Sequence, residues 1–177
     1  MLAYLFVLIA VAVRLGVAAK VVSLPFGFTP LGASMLFAGA KLPAKQRWIP
    51  LAALVVCDLA LTRVLYAYPF TWDQLITWGC YAGVIAMGTL LARNASLLRV
   101  AGLSVASSVG FFVITNLAVF FAWETYPKTL SGLALCYTMA LPFFRNGLTS
   151  DVIFAVTFFS IPVAIEIFRS KAARERA

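Results

Sequence analysis

Long apolar runs, separated by short basic, polar or proline-marked turns, organise this chain. At roughly 20 residues per bilayer crossing, residues 2–22 form a first spanning run, interrupted only by Arg14. That run has no basic leader segment. Although Val17-Ala18-Ala19 imitates a cleavage site, it reads as a retained helix. Residues 23–30 contain two prolines and a glycine and predict a loop. Residues 31–40 are a short small-residue helix that extends into that loop. Further spanning runs follow at 48–66, 74–92, 100–123 and 148–168, with an apolar but short stretch at 129–144 that contains Pro142 and ends at Arg145-Asn146-Gly147.

The turns fix sidedness. Lys41, Lys45 and Arg47 mark one turn and Arg93 and Arg99 another, while Arg169, Lys171, Arg174 and Arg176 crowd the end of the chain. Such clusters favour the cytoplasmic side. An even number of crossings must therefore separate the turn at 93–99 from the tail at 169–177. The runs at 100–123 and 148–168 already supply two. The stretch 129–144 is thus expected to cap or re-enter from the outer side without crossing, within an outer segment near 124–147. The predicted fold is an all-α integral membrane protein. It is one transmembrane domain over 1–177 with six membrane helices, both termini and the tail cytoplasmic. No internal repeat is evident, so an inverted-repeat transporter is not supported.

Composition agrees: 63% of residues are hydrophobic and 11% charged, with a mean hydropathy of +0.99, against roughly a quarter charged in a soluble domain. The net charge of +8 lies in turns and tail without a nucleic-acid-binding motif, so no nucleic acid partner is expected. There is no histidine, which removes His-based metal sites and Ser–His–Asp or Cys–His catalysis. No phosphate-binding P-loop is present, so the chain carries no ATPase. The six acids Asp58, Asp73, Glu124, Asp151, Glu166 and Glu175 show no helical pairing, and Cys57, Cys80 and Cys136 show no Cys-x-x-Cys. An enzyme is not indicated, and no intrinsic cofactor is expected.

Two kinds of candidate residue remain. The outer loops hold Phe26, Phe28, Tyr68, Phe70, Trp72, Trp123, Tyr126, Phe143 and Phe144, together with Thr29, Asp73, Arg145 and Asn146. These form either an interfacial aromatic belt or the rim of an outward pocket for a bulky, partly apolar ligand. Arg14 and Asp58 fall near the middle of predicted helices, where charges are expensive and are paired or functional. Either they pair, fixing the first and third runs, or Asp58 sits deep in a ligand site. Thr115 and Asn116 can hydrogen-bond across helices or to a ligand's amide groups.

Several strings carry a resemblance. These are Phe28-Thr-Pro-Leu-Gly-Ala33, Leu36-Phe-Ala-Gly-Ala40, Cys57-Asp-Leu-Ala-Leu61, Ser107-Ser-Val-Gly-Phe-Phe-Val-Ile-Thr-Asn116, Tyr126-Pro-Lys-Thr-Leu-Ser-Gly132 and Leu141-Pro-Phe-Phe-Arg-Asn146. Over about residues 25–165 the chain resembles the substrate-binding S-components of energy-coupling-factor (ECF) vitamin transporters, and within them the BtuM-type cobalamin transporter family. The resemblance implies a six-helix S-component-like fold and an outer pocket for cobalamin (vitamin B12) or a related corrinoid, moved across the inner membrane. It makes Cys80, in Trp78-Gly-Cys-Tyr-Ala82, the candidate ligand to cobalt, with thiolate-driven exchange of the axial ligand. Thiolate is a soft donor suited to late transition metals. Cys80 lies six residues beyond Gln74, about 9 Å into its helix, and Gly79 and Gly83 leave room beside it. The residues expected to contact the ligand are Cys80, Phe28, Thr29, Asp58, Tyr68, Trp72, Tyr81, Asn116, Tyr126 and Arg145. The family's Ala-x-x-x-Ala docking face on the first helix is replaced by Ala12-x-x-x-Gly16, which fits a protein working without an ATPase module. The alternatives are uptake of another vitamin or nucleobase-like compound, or a structural membrane subunit.

Overall fold

The computed structural model describes residues 1–67 and 69–174. Tyr68, Glu175, Arg176 and Ala177 therefore lie outside the described residues. Among the described residues there are six α-helices and no strand: α1 (Leu2–Ala18), α2 (Leu31–Lys41), α3 (Ile49–Ala60), α4 (Asp73–Gly88), α5 (Leu97–Ala122) and α6 (Leu130–Arg174). A π-helical turn, Leu61–Leu65, prolongs α3, and a 3-10 turn, Thr89–Leu91, prolongs α4. Three segments are long and apolar enough to cross a membrane: Asp73–Leu91, Leu97–Ala122 and Leu130–Arg174. The protein is thus all-helical and built as a membrane protein would be.

The bundle is organised around its shortest helix. Nine residues of α2 are buried, and it touches each of the other five α-helices. Its 11 residues rise about 16 Å, half of a bilayer core, so it is enclosed by its neighbours rather than spanning alone. Glycine makes the enclosure tight. A Cβ on Gly39 would collide with the Ile85 carbonyl of α4, and one on Gly88 with the Leu36 carbonyl of α2; the two glycines face each other across the crossing. Such small-residue contacts replace the hydrophobic effect as the cohesive force where the surrounding solvent is itself apolar. Aromatic rings complete the packing. Phe6 of α1 stacks on Phe158 of α6 at 4.0 Å and meets Phe37 of α2 edge-on at 5.0 Å, while Phe37 meets Phe159 at 4.9 Å.

The end of the chain departs from expectation. Residues 129–144 do not form a separate outer cap: they are the first third of α6, which runs unbroken through Arg145-Asn146-Gly147. Thr129 starts the helix by accepting the Gly132 amide at 3.1 Å. Pro142 and Pro162 are both accommodated inside it, as prolines are in membrane helices. Asn146 does not terminate the helix because its side chain is used laterally, donating to the Phe26 carbonyl at 3.0 Å. Helices α5 and α6 are antiparallel. Ser108 meets Asp151, Phe112 stacks on Phe144 at 4.5 Å, and the Tyr137 hydroxyl donates to the Val113 carbonyl at 2.7 Å. The start of α5 and the C-terminal half of α6 therefore lie toward the same end. The 45 residues of α6 extend about 67 Å, and its last turns, from Val163 to Arg174, are exposed.

Candidate ligand cavity

A cavity of about 580 Å³ opens between α1, the loop before α2, the α3–π junction, α4, α5 and α6. Its size falls within the range of small-molecule sites, roughly 300–1,000 Å³. The wall from α4 is set by helical spacing: Thr77, Tyr81 and Val84 share one face and line the cavity. Phe111 and Phe112 of α5 and Phe143 and Phe144 of α6 supply an aromatic wall. Tyr81 packs against Phe111 at 4.9 Å.

Two polar clusters face this space. In the first, Arg14 of α1 and Asp58 of α3 form an ion pair at 2.6 Å, and the Trp78 indole of α4 donates to the other carboxylate oxygen at 2.9 Å. One carboxylate thus ties three helices together, and Asp58 is buried at 8% exposure. The pairing expected of Arg14 and Asp58 is present, and both residues also line the cavity. In the second cluster, the Ser108 hydroxyl of α5 donates to Asp151 Oδ2 of α6 at 2.7 Å. The carboxylate lies against the backbone at the start of α2, beside Gly32. A Cβ on Gly32 would meet the Asp151 carboxyl group, which would have to shift to make room for it. The neighbouring Ser150 accepts the Thr29 amide at 3.3 Å and donates to the Thr29 carbonyl at 3.1 Å, while the Thr29 hydroxyl accepts the Leu31 amide at 3.1 Å. Ser150 and Asp151 together seat the N-terminal end of α2 on α6. An anionic carboxylate at a helix N-terminus is favourably placed.

Of the residues singled out from the sequence, Thr29, Asp58, Tyr81 and Asn116 line the cavity. Asn116 and Thr115 use their donors within α5, on the Phe112 and Phe111 carbonyls at 2.8 and 2.7 Å. Phe28 is not among the residues lining the cavity and packs on Phe154, ring centroids 5.8 Å apart. Trp72 caps the start of α4 and is 47% exposed. Tyr126 is half-buried in the α5–α6 connection, and Arg145 is exposed on α6. Tyr68 lies outside the described residues.

Cys80 is not on the floor of this cavity. It lines a second, shallower groove of about 360 Å³ between α4 and α5, with Ile76, Gly79, Gly83, Met87 and Gly110. The reason is periodicity. Residues 76, 80, 83 and 87 form a stripe about a third of a turn from the 77, 81, 84 stripe that faces the cavity. No group of three or more metal-ligating side chains occurs among the described residues.

The residue that sequence reading missed is Asp151. An ionisable side chain inside a membrane segment is itself a signal. With a helix starting at 148, Asp151 falls in an interfacial first turn. With α6 starting at Leu130, it lies 21 residues inside.

Fold and cavity define an all-helical protein with three membrane-length helices around a polar and aromatic internal site. The chain belongs to the DUF6580 family, a family of unknown function whose sequence model matches residues 1–173. No curated protein and no solved structure matches it.

Proposed function

We propose that this is a membrane-embedded small-molecule binding protein of the uptake type, taking a compact, partly apolar solute into the cavity between α1, α3, α4, α5 and α6. The observation that carries this reading is the convergence of the Arg14–Asp58 pair, Asp151, Thr29 and Asn116 on one aromatic-walled space. A structural subunit has no use for polar groups converging on a cavity, each of which is expensive to bury. The site lacks a nucleophile–base pair, so binding and translocation fit it better than catalysis. The reading extends to a bacterial cytoplasmic membrane, six inserted helices and both termini inside. The antiparallel α5–α6 pair supports it, because it puts the Arg93–Arg99 turn and the basic end of α6 on one side. Native mass spectrometry of detergent-solubilised protein tests the binding reading. A small molecule that co-purifies with the wild type and is lost in a folded Ala140→Trp variant, whose indole fills the cavity, is the expected result. Identical spectra for the two overturn it.

A corrinoid is the second reading, favoured by the setting of Cys80. A Cβ added to Gly79, Gly83 or Gly110 would meet nothing within 4 Å, so a flat macrocycle has room to approach the thiol along the α4–α5 groove. Cobalt ligation by Cys80 predicts a red preparation from cobalamin-fed cells and a changed visible spectrum in Cys80→Ala. An unchanged spectrum excludes ligation.

A further inference from the structure

The charges lining the cavity do not balance. They are Arg14, Asp58 and Asp151. Arg14 and Asp58 neutralise each other at 2.6 Å. Asp151 has the Ser108 hydroxyl as its hydrogen-bond partner, and no cationic side chain among the described residues reaches it within 4.0 Å. The N-terminus of α2 offsets about half a unit of charge, which leaves the cavity with a negative field in a setting of low dielectric. A carboxylate has about four lone-pair positions, and Ser108 takes one.

The aromatic wall stands in the same space. Tyr81 and Phe111 are 4.9 Å apart and Phe112 and Phe144 4.5 Å apart. Ring faces attract cations, and aromatic cages are a recurrent way of holding organic ammonium groups. An anionic solute meets the opposite situation: the one guanidinium at the cavity is already committed to Asp58, and Asp151 repels it.

We infer that the solute taken by this cavity is an organic cation, a positively charged nitrogen on an apolar or aromatic body, with Asp151 receiving the charge and the phenylalanine wall the body. This inference rests on the cavity being a ligand site, and the test separates the two. The probes are a cationic styrylpyridinium dye and its neutral stilbene isostere, titrated by fluorescence onto the full chain in uncharged nanodiscs. The wild type should bind the cation about tenfold or more tightly than the stilbene, as a charge-assisted contact does. Asp151→Asn should abolish that preference while the stilbene affinity persists, which also reports that the variant is folded. If Asp151→Asn does not fold, Thr77→Lys, which adds a cation to the facing wall, should reduce the preference by a similar factor. Equal affinities in the wild type, both lost in Ala140→Trp, overturn the charge inference and leave the cavity as a ligand site. A preference that survives Asp151→Asn or Thr77→Lys also overturns it. Binding of both dyes that is indifferent to Ala140→Trp removes the cavity reading and the inference with it.

Discussion

The two ends of α2 are built on opposite terms. Its C-terminal half meets α4 backbone to backbone through Gly39 and Gly88, with no space for a methyl group on either. Its N-terminal end meets α6 at polar atoms, Thr29 with Ser150 and Gly32 beside the Asp151 carboxyl group, next to a cavity of about 580 Å³. One end is closed by shape and the other held by hydrogen bonds around a void. Dense packing confers rigidity, since interiors transmit strain rather than absorb it. Hydrogen bonds to a hydroxyl or an amide can be exchanged for those of a solute at little net change. The fold thus has a close-packed contact at one end of α2 and a hydrogen-bonded contact beside a cavity at the other.

Four substitutions sharpen that contrast, in order of expected effect. Gly39→Leu forces a branched side chain into the α2–α4 backbone contact. About 3 kcal/mol or more is lost, and fluorescence-detected size-exclusion chromatography should show little monodisperse protein. Phe6→Ala removes a ring sandwiched between Phe37 and Phe158, lowering stability by roughly 3 kcal/mol, seen as a depressed melting temperature in detergent. Asp58→Asn strips Arg14 of its partner. The arginine side chain is 36% exposed, so the loss is about 1–2 kcal/mol rather than the 3–5 of a fully buried pair, and the same melt reads it. Ser108→Ala removes one donor to Asp151 and lowers the melt by about 1 kcal/mol. If Ser108→Ala unfolds the protein while Gly39→Leu is tolerated, the contrast between the two ends is reversed.

Much of this was legible from hydropathy. The apolar runs at 48–66, 74–92 and 100–123 match the bounds of α3 with its π turn, α4 with its 3-10 turn, and α5 to within a few residues, and the last two are long and apolar enough to cross a membrane. Solvent preference is written into each residue, so runs of it survive without tertiary information. The interruption at 145–147 misled because Arg, Asn and Gly are loop-formers only when nothing else engages them. Here Asn146 finds the Phe26 carbonyl 120 positions away, a contact invisible in local sequence. The Arg14–Asp58 pair was one of two alternatives the sequence left open, and intramembrane charge scarcity is what made it visible. The Cys80 face was not legible, since a shift of one residue on a helix turns a side chain through 100° and nothing local distinguishes Cys80 from Tyr81. Asp151 was hidden by the misplaced helix start alone.

The unbroken course of α6 gives the molecule a mechanical arm. Asp151 stands on the cavity wall and Arg174 ends the same helix, about 34 Å further along its axis. A tilt of only about 5° at the cavity sweeps the exposed tip through roughly 3 Å. The exposed end of α6 is therefore placed to move further than the cavity wall from which it extends.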